Sequence, residues 1–246
     1  MRYFLEVSYR GTNYSGFQSQ KNANTIQAEV EKAFKILLKE EIQLTGSSRT
    51  DAGVHALQNY FHFDTKGELS SQLLYNLNAL LPSDIAAKNL HRVKDEAHCR
   101  FDAITREYKY YVYQKKNPFL EDNAYYYPYT LDLELMQNAA TIIKEYSDFT
   151  SFSKRNTQVK SFTCDIQGSH WIIEGECFVY RVKANRFLRG MVRALVATML
   201  KVGRNKSTLD IFKTIIESKD CTLADFSAPP NGLFLVQVVF SDNYFN

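Results

Sequence analysis

The chain has 246 residues, of which 45% are hydrophobic, and its formal net charge is only +3. This is enough apolar material for one large or two small globular domains. The N-terminal segment MRYFLEVSYRG lacks the uninterrupted apolar core of a signal peptide, and no run of about 18 uncharged apolar residues predicts a membrane span. We therefore expect a cytoplasmic protein that makes no contact with a membrane.

The cysteines and histidines do not form a metal-binding pattern. Cys99, Cys164, Cys177 and Cys221 are scattered without CxxC spacing, which favours reduced thiols over a disulfide framework or a structural zinc site. His98 and Cys99 would point to opposite sides of a strand, and His55 and His62 lack the helical spacing that places two ligands on one face. The sequence predicts no bound metal.

The first half of the chain predicts the element order strand, helix, strand, strand, helix, strand. The first helix is the clearest element, because Ile26, Val30, Phe34, Leu37 and Leu38 fall on one face at steps of three and four. The second helix begins at a serine cap and ends before a proline. The predicted strands are 3–8, 42–45, 59–64 and 84–93, and the predicted helices are 25–41 and 70–81.

The second half predicts a similar plan. Its predicted strands are 106–113, two strands joined near Gly168, 176–183 and 233–240, and its predicted helices are 133–146, 186–202 and 208–218. The fold class is therefore α+β, with two βαββαβ-like halves that have antiparallel or mixed sheets and helices on one face. We place the boundary near residue 104, which gives an N-terminal half, 1–103, and a C-terminal half, 104–246.

Positive charge is concentrated in residues 181–206. This segment contains eight lysines and arginines and no acidic residue, so the rest of the chain is net negative. On a helix over 186–202, Arg186, Arg189 and Arg193 would form one stripe among apolar residues. The alternatives are a solvated charged face, or a stripe that faces a cleft or pairs with carboxylates. Such a basic surface predicts phosphate contacts with a polyanion.

The segment REYKYYVY alternates on a predicted strand. Arg106, Tyr108, Tyr110 and Val112 share one side of it. Tyrosines are common in half-buried strands, which is the structural interpretation. The alternative is a platform on which nucleobases stack.

The loop TGSSRTDAGVHA, residues 45–56, places Asp51 beside Arg49 and an Ala-Gly pair. An aspartate next to glycine commonly caps backbone N–H groups in a turn, and this remains one interpretation. A carboxylate near guanidinium groups stays ionised, which suits a nucleophile better than a general acid. The alternative is therefore that Asp51 is a reactive anion.

These residues resemble the A-type tRNA pseudouridine synthases, whose signature is a Gly-Arg-Thr-Asp-Ala-Gly-Val-His loop. The resemblance covers nearly the whole chain in the same order. Besides SRTDAGVHA it includes GTNYSGFQSQ, LNALLPSDIAA, HCRFDAITREYKYYVY, DFTSFSK, KANRFLRGMVRALVATMLKVGRNK and SAPPNGLFLVQVVF. Phe17 replaces a common tryptophan, and Ser48 and Ala197 replace common glycines, none of them at a matched catalytic position.

The resemblance implies roles for particular residues. Asp51 would be the catalytic aspartate, Arg193 its partner, and Tyr108 the aromatic residue that packs against the target base. Arg49 would help to displace that base, and Leu233 lies in the GLFL segment that lines the pocket. Arg186 and Arg189 are the further candidates for RNA binding.

The resemblance also implies an activity and an assembly. The expected reaction is isomerisation of uridine to pseudouridine at tRNA positions 38, 39 and 40, which needs no cofactor because no atom is gained or lost. The expected architecture has a catalytic cleft between two halves related by a pseudo-twofold, in a homodimer in which one RNA contacts both subunits. The residues leave open a covalent or a glycal mechanism, a synthase restricted to fewer uridines, and a non-catalytic RNA-binding paralogue.

Overall fold

The computed structural model describes residues 1–155 and 159–245, and these residues fold into two compact units. The first unit comprises Met1–Ile104 and Phe234–Asn246, and the second comprises Thr105–Leu233. The mixture of strands and helices confirms the α+β fold class. Among the described residues, no helix has the length and apolar character required to cross a membrane.

The first unit contains the element order that the sequence predicts, followed by a strand from the end of the chain. Its elements are β1 (Arg2–Tyr9), α1 (Ile26–Leu38), β2 (Thr45–Gly46), β3 (His55–Asp64), α2 (Leu73–Leu80), β4 (Ile85–Val93) and most of β9 (Leu233–Val239). The strands lie in the order β4-β1-β3-β9, and β2 pairs with β3. The pairs of β1 with β3 and β4 are antiparallel, whereas β3 and β9 are parallel, so the sheet is mixed.

Helix α1 forms because its capping and apolar periodicity agree. The side chain of Thr25 accepts a hydrogen bond from the N–H of Ala28, which is the usual way to satisfy a free N-terminal donor. Val30 and Phe34 are buried, and the Phe34 ring packs 4.8 Å from that of Phe63 on β3. The helix ends at Leu38, three residues earlier than predicted, because Lys39 adopts a left-handed conformation with φ 57°.

The second unit contains four strands and three helices among its described residues. They are β5 (Thr105–Tyr113), β6 (Tyr125–Tyr126), α3 (Leu133–Ile143), β7 (Ile166–Glu174), β8 (Cys177–Ala184), α4 (Met191–Gly203) and α5 (Leu209–Ser218). Strand β8 lies between β5 and β7 and is antiparallel to both, and β6 pairs in parallel with the end of β5. Trp171 and Tyr180 pack side by side on this sheet, and the indole N–H of Trp171 donates to the sulfur of Met199 on α4.

The prediction of two strands joined near Gly168 is wrong. Strand β7 runs continuously through Gly168, where its register with β8 shifts. The turn between β7 and β8 lies instead at Gly175, whose φ of 59° suits a two-residue hairpin connection after Glu174. A glycine within a strand commonly marks such an irregularity rather than the end of the strand.

The prediction that a helix begins at residue 186 is also wrong. Helix α4 begins at Met191, because Gly190 has a left-handed φ of 76° and interrupts the backbone before it. Arg186 and Arg189 therefore lie in the segment that precedes the helix, and the backbone oxygen of Arg189 accepts a hydrogen bond from Lys154. The three arginines do not form a helical stripe.

The ranges 1–103 and 104–246 stay a prediction for the domains. The compact units differ from them at the C-terminus, because β9 pairs with β3 and its residues from Phe234 onward belong to the first unit.

Candidate functional site

Asp51 lies in a loop of the first unit that connects β2 to β3 and whose side chains alternate between inside and outside. Ser48 and Thr50 are buried, Arg49 is exposed, and Asp51 is half-buried. A loop has no regular backbone hydrogen bonds like those of a strand or helix. Its inward-facing residues must therefore be held by other hydrogen bonds.

The inward side of the loop is anchored by buried hydrogen bonds. The hydroxyls of Thr50 and Tyr9 lie 2.8 Å apart, and the Asn59 amide donates to the backbone oxygen of Ser48 at 2.8 Å. The backbone oxygen of Thr50 accepts from the N–H of Phe17 at 3.1 Å. Thr50 is therefore held through both its side chain and its backbone, immediately before Asp51.

Glycines allow neighbouring backbone to reach this loop. A Cβ on Gly11 would lie 2.0 Å from the backbone oxygen of Val54, and a Cβ on Gly16 would lie 3.0 Å from that of Thr50. Gly53 has a φ of 77°, and its N–H donates to the backbone oxygen of Tyr14. Any side chain at Gly11 would displace the loop that carries Asp51.

Phe17 and Ser48, which differ from the residues common in the family that the sequence resembles, lie in the packing beneath this loop. Phe17 is buried and stacks on Phe61 with the ring centroids 4.5 Å apart, and a Cβ on Gly46 would collide with the Phe17 ring. Ser48 is also buried. Both substitutions therefore act on the packing beneath the loop.

Tyr108 lies on β5 of the second unit, with only 8% of its surface exposed. Its ring is nearly perpendicular to that of Phe187, with the ring centroids 5.0 Å apart. Tyr110 and Val112, on the same side of the strand, are completely buried, so the structural interpretation is correct for them and they provide no stacking platform.

Arg193 is half-buried near the N-terminus of α4 and is held by the segment that precedes β9. Its Nε donates to the backbone oxygen of Ala228 at 2.6 Å. The Tyr110 hydroxyl donates to the oxygen of Pro229 in the same segment at 2.7 Å. Burial raises the pKa of Tyr110, and the nearby charge of Arg193 acts in the opposite direction.

Leu233 is buried at the end of this same segment. Gly232 precedes it and approaches Tyr110 so closely that a Cβ would lie 2.9 Å from the ring and 2.8 Å from the backbone oxygen of Tyr111. The structure therefore brings Arg193, Tyr110 and the segment leading to Leu233 together. The sequence reasoning missed Ala228 and Pro229; the Pro-Pro pair in SAPPNGLFL was the available signal.

The basic residues of 181–206 have different surroundings. Arg186 is half-buried and Arg189 is exposed. Arg181 forms an ion pair with Glu107 at 2.6 Å, and Lys201 forms one with Asp225 at 2.9 Å. The Arg204 guanidinium stacks 3.5 Å from the centroid of the Tyr129 ring. These partners come from segments outside 181–206. The absence of acidic residues within 181–206 therefore did not mean that its basic residues were unpaired.

A cavity of about 160 Å³ lies beside the Asp51 loop in the first unit. Arg49 contributes to its wall, together with His98, Arg100 and Phe101 from the segment after β4. The sequence reasoning included this segment in the resemblance, as HCRF, but gave it no role. Among residues 1–155 and 159–245, no three His, Cys, Asp or Glu side chains are grouped so that they could hold a metal ion.

Comparison with known proteins gives a consistent match. The profile of one family, described as tRNA pseudouridine synthase, matches residues 6–102 and 146–241. The chain is 45% identical over 246 residues to tRNA pseudouridine synthase A of Parabacteroides distasonis, covering 99% of this chain and 98% of that protein. It is 45% identical over 249 residues to the protein of the same name from Bacteroides thetaiotaomicron, covering 100% and 93%. For the Staphylococcus aureus protein the identity is 38%, covering 99% and 92%.

Proposed function

This chain belongs to the tRNA pseudouridine synthase family, a family of isomerases, and we propose that it converts uridine to pseudouridine at positions 38, 39 and 40 in the anticodon stem-loop of tRNA. The observation that carries the proposal is the anchored loop within the matched range 6–102. It holds Thr50 by its side chain and backbone and leaves the adjacent Asp51 half-buried. A reactive group works best when the structure around it is fixed before the substrate arrives.

The reaction breaks the bond from the ribose C1′ to N1 of uracil and forms a bond from C1′ to C5. The detached base turns before it is rejoined, the proton on C5 leaves, and N1 gains a proton. A carboxylate assists either as a nucleophile that attacks the sugar or the base, or as a base that removes a sugar proton to give a glycal. Asp51 takes this role in the proposal.

The other residues bind the substrate or support Asp51. Arg193 is the proposed charge partner of Asp51, and its bond to Ala228 fixes its guanidinium. Tyr108 is the proposed contact for the target base, with its ring held by Phe187. Arg49 helps to displace the base, and Leu233 lines the base pocket. Arg186 and Arg189 contact phosphates, which position the RNA without reading its sequence.

The proposed setting is the cytoplasm, with tRNA as partner and a homodimer as the working form. The dimer rests on the resemblance to the family. Light scattering of the purified protein at several concentrations tests it, and a monomer at every concentration would exclude it.

The function is tested by Asp51→Asn, which removes the reactive oxygen anion but little shape. We expect loss of tritium release from tRNA labelled at C5 of uridine, while tRNA binding in a filter assay stays within a fewfold. Asp242→Asn, at an exposed carboxylate near the C-terminus, is the matched control and should turn over normally. Normal tritium release from Asp51→Asn would falsify the assignment.

The sites are tested by mass-spectrometric mapping of pseudouridine in tRNA treated with the wild-type protein. We expect modification at 38, 39 and 40. Modification at only one of them would indicate a specialised synthase, and binding without any modification would indicate a non-catalytic paralogue.

A further inference from the structure

The cavity beside the Asp51 loop is lined by positive and aromatic side chains. Its lining contains no acidic residue, and the arginines Arg49 and Arg100 both contribute to it. Gln27, His98 and Phe101 also line it. At about 160 Å³ it is smaller than the roughly 300–1,000 Å³ pockets that hold drug-sized ligands. Its size and charge suit part of one nucleotide.

Phe101 is an exposed aromatic ring that the backbone holds in place. Its surface is 73% exposed, although it lies in a short, well-bonded segment. The Nδ1 atom of His98 accepts hydrogen bonds from the N–H groups of Arg100 and Phe101 at 3.2 and 3.4 Å. The His98 N–H donates to the Asp102 carboxylate at 2.8 Å, and the His98 and Phe101 rings lie 4.1 Å apart. One side of the Phe101 ring is thus supported while much of the ring remains open.

Two arginines line the same cavity as this ring. The Arg100 guanidinium is 5.7 Å from the centroid of the Phe101 ring, and Arg49 is exposed on the catalytic loop. Burial lowers the pKa of His98, so the two arginines carry the charge near neutral pH. The planar guanidinium of arginine binds a phosphate through two parallel hydrogen bonds.

The floor of the cavity is fixed by Gln27. Its amide donates to the backbone oxygen of Leu44 at 2.9 Å and to the Glu31 carboxylate at 2.7 Å, and its oxygen accepts from the N–H of Ser19 at 3.1 Å. The chain before α1 is thereby attached to the chain before β2. A floor held in this way is preorganised and needs no rearrangement to receive a ligand.

We propose that this cavity binds one nucleotide of the substrate RNA other than the target uridine. The base stacks on Phe101, and its phosphate lies beside Arg100. The inference rests on the proposed function, since it takes RNA as the substrate. Because Arg49, which lines the cavity, is two residues from Asp51, this nucleotide binds close to the catalytic loop and contributes to affinity.

The test separates binding from chemistry with Phe101→Ala, Phe101→Trp, Phe101→Leu and Arg100→Ala. We measure the Kd for a tRNA transcript by filter binding and the single-turnover rate at saturating protein by tritium release. Stacking of one base predicts that Phe101→Ala and Phe101→Leu raise the Kd about tenfold, whereas Phe101→Trp keeps it. The saturating rate should stay within about twofold of wild type in all four variants.

Arg100→Ala carries a second, independent signature. Loss of one phosphate contact should reduce the slope of log K against log salt by about 0.7–0.9. Phe101→Ala should leave that slope unchanged, because stacking releases no counterions. The matched controls are Tyr75→Ala, an aromatic side chain that is 78% exposed on α2, and Arg92→Ala on β4; both should bind as wild type does.

An unchanged Kd for Phe101→Ala overturns the proposal, as does a leucine that binds as well as phenylalanine. A lower saturating rate with an unchanged Kd would show instead that Phe101 supports the catalytic loop. Thermal unfolding of the variants shows whether the exposed ring is needed for folding. If the wild-type protein makes no pseudouridine, the proposed function fails. If the wild-type protein is active and the Phe101 and Arg100 variants bind tRNA as well as it does, the function stands and only this subsite fails.

Discussion

Single residues beneath the Asp51 loop determine where Asp51 lies. The most demanding of them is Gly11, because a Cβ there would lie 2.0 Å from Val54 backbone, which cannot yield as a flexible side chain would. The Gly11 N–H also donates to Nδ1 of His55 at 3.0 Å, in the first residue of β3. This side of the loop therefore has no space for a methyl group.

Gly11→Ala should reduce stability by about 1–3 kcal/mol, the usual cost of forcing extra volume into a packed site. It should also reduce turnover, because the loop must move. Gly67→Ala is the control, since nothing lies within 4 Å of its Cβ. Urea denaturation and tritium release measure both effects. An equally small effect of the two substitutions would mean that the loop adapts without cost.

His62 should make stability sensitive to acid. Burial lowers its pKa to about 4, with His98 and Arg2 adding repulsion, and its Nδ1 lies 3.2 Å from the Cys99 sulfur. The folded pKa is below the unfolded value of about 6.5, so between these pH values the unfolded chain binds a proton that the folded chain excludes. Stability should fall by about 2 kcal/mol as pH decreases from 6.5 to 4.

His62→Gln is the comparison for this prediction. Denaturant midpoints should depend less on pH in the variant than in wild type over that range, whatever its stability at pH 7. His91 and His98 also have pKa values lowered by burial and remain in both proteins. Parallel pH profiles would show that His62 is protonated in the folded protein.

Helices α3 and α4 approach each other closely at Gly203, because this residue has no side chain. A Cβ on Gly203, the last residue of α4, would lie 2.5 Å from Cγ of Met136 on α3. The backbone oxygen of Gly203 accepts from the N–H of Asp132, which caps α3. The close approach therefore joins the end of one helix to the start of the other.

Gly203→Ala should reduce stability by about 1–3 kcal/mol through overpacking. Met136→Ala should be destabilising by itself, because it leaves a cavity in a completely buried site. In the Met136→Ala background, however, Gly203→Ala should cost much less, because the atom it displaces is gone. Denaturant titration of the four proteins measures the coupling, and additive effects would contradict the contact.

The distribution of charge over the whole molecule determines where it should bind RNA. The net charge is only +3, so binding depends on basic residues grouped at particular places. Arg181 forms an ion pair with Glu107, and the side chains of Arg189 and Lys206 are exposed to solvent. Phosphate contacts of this kind contain no sequence information, so the shape of folded tRNA should matter more than its neighbouring bases.

We therefore expect whole tRNA to be modified faster than its isolated anticodon stem-loop, and the stem-loop faster than an unstructured oligomer of equal uridine content. Affinity for tRNA should fall about a hundredfold or more between about 50 and 200 mM salt, as it does for proteins that contact several phosphates. Single-turnover mapping of pseudouridine in the three RNAs decides this. Equal rates on the unstructured oligomer would exclude recognition by shape.

Elements whose signals are local can be predicted from the amino-acid sequence alone. Helix α1 has its Thr25 cap and its apolar face on adjacent turns, so both are visible in the order of the residues. The Asp51 loop has its glycine and its small residues within a few positions. The motif in this loop, together with the other matched segments, is sufficient to identify the family.

Features that depend on distant segments become visible only in the folded protein. Alternation along β5 separates two faces of the strand but does not show which face other elements cover. Tyr110 is completely buried, and only the folded protein shows this. Phe101, in the segment before β5, is exposed. The start of α4 depends on the conformation of Gly190, and the partner of Arg181 depends on the register between β5 and β8. Such outcomes come from packing and pairing between residues far apart in the chain, which local periodicity does not encode.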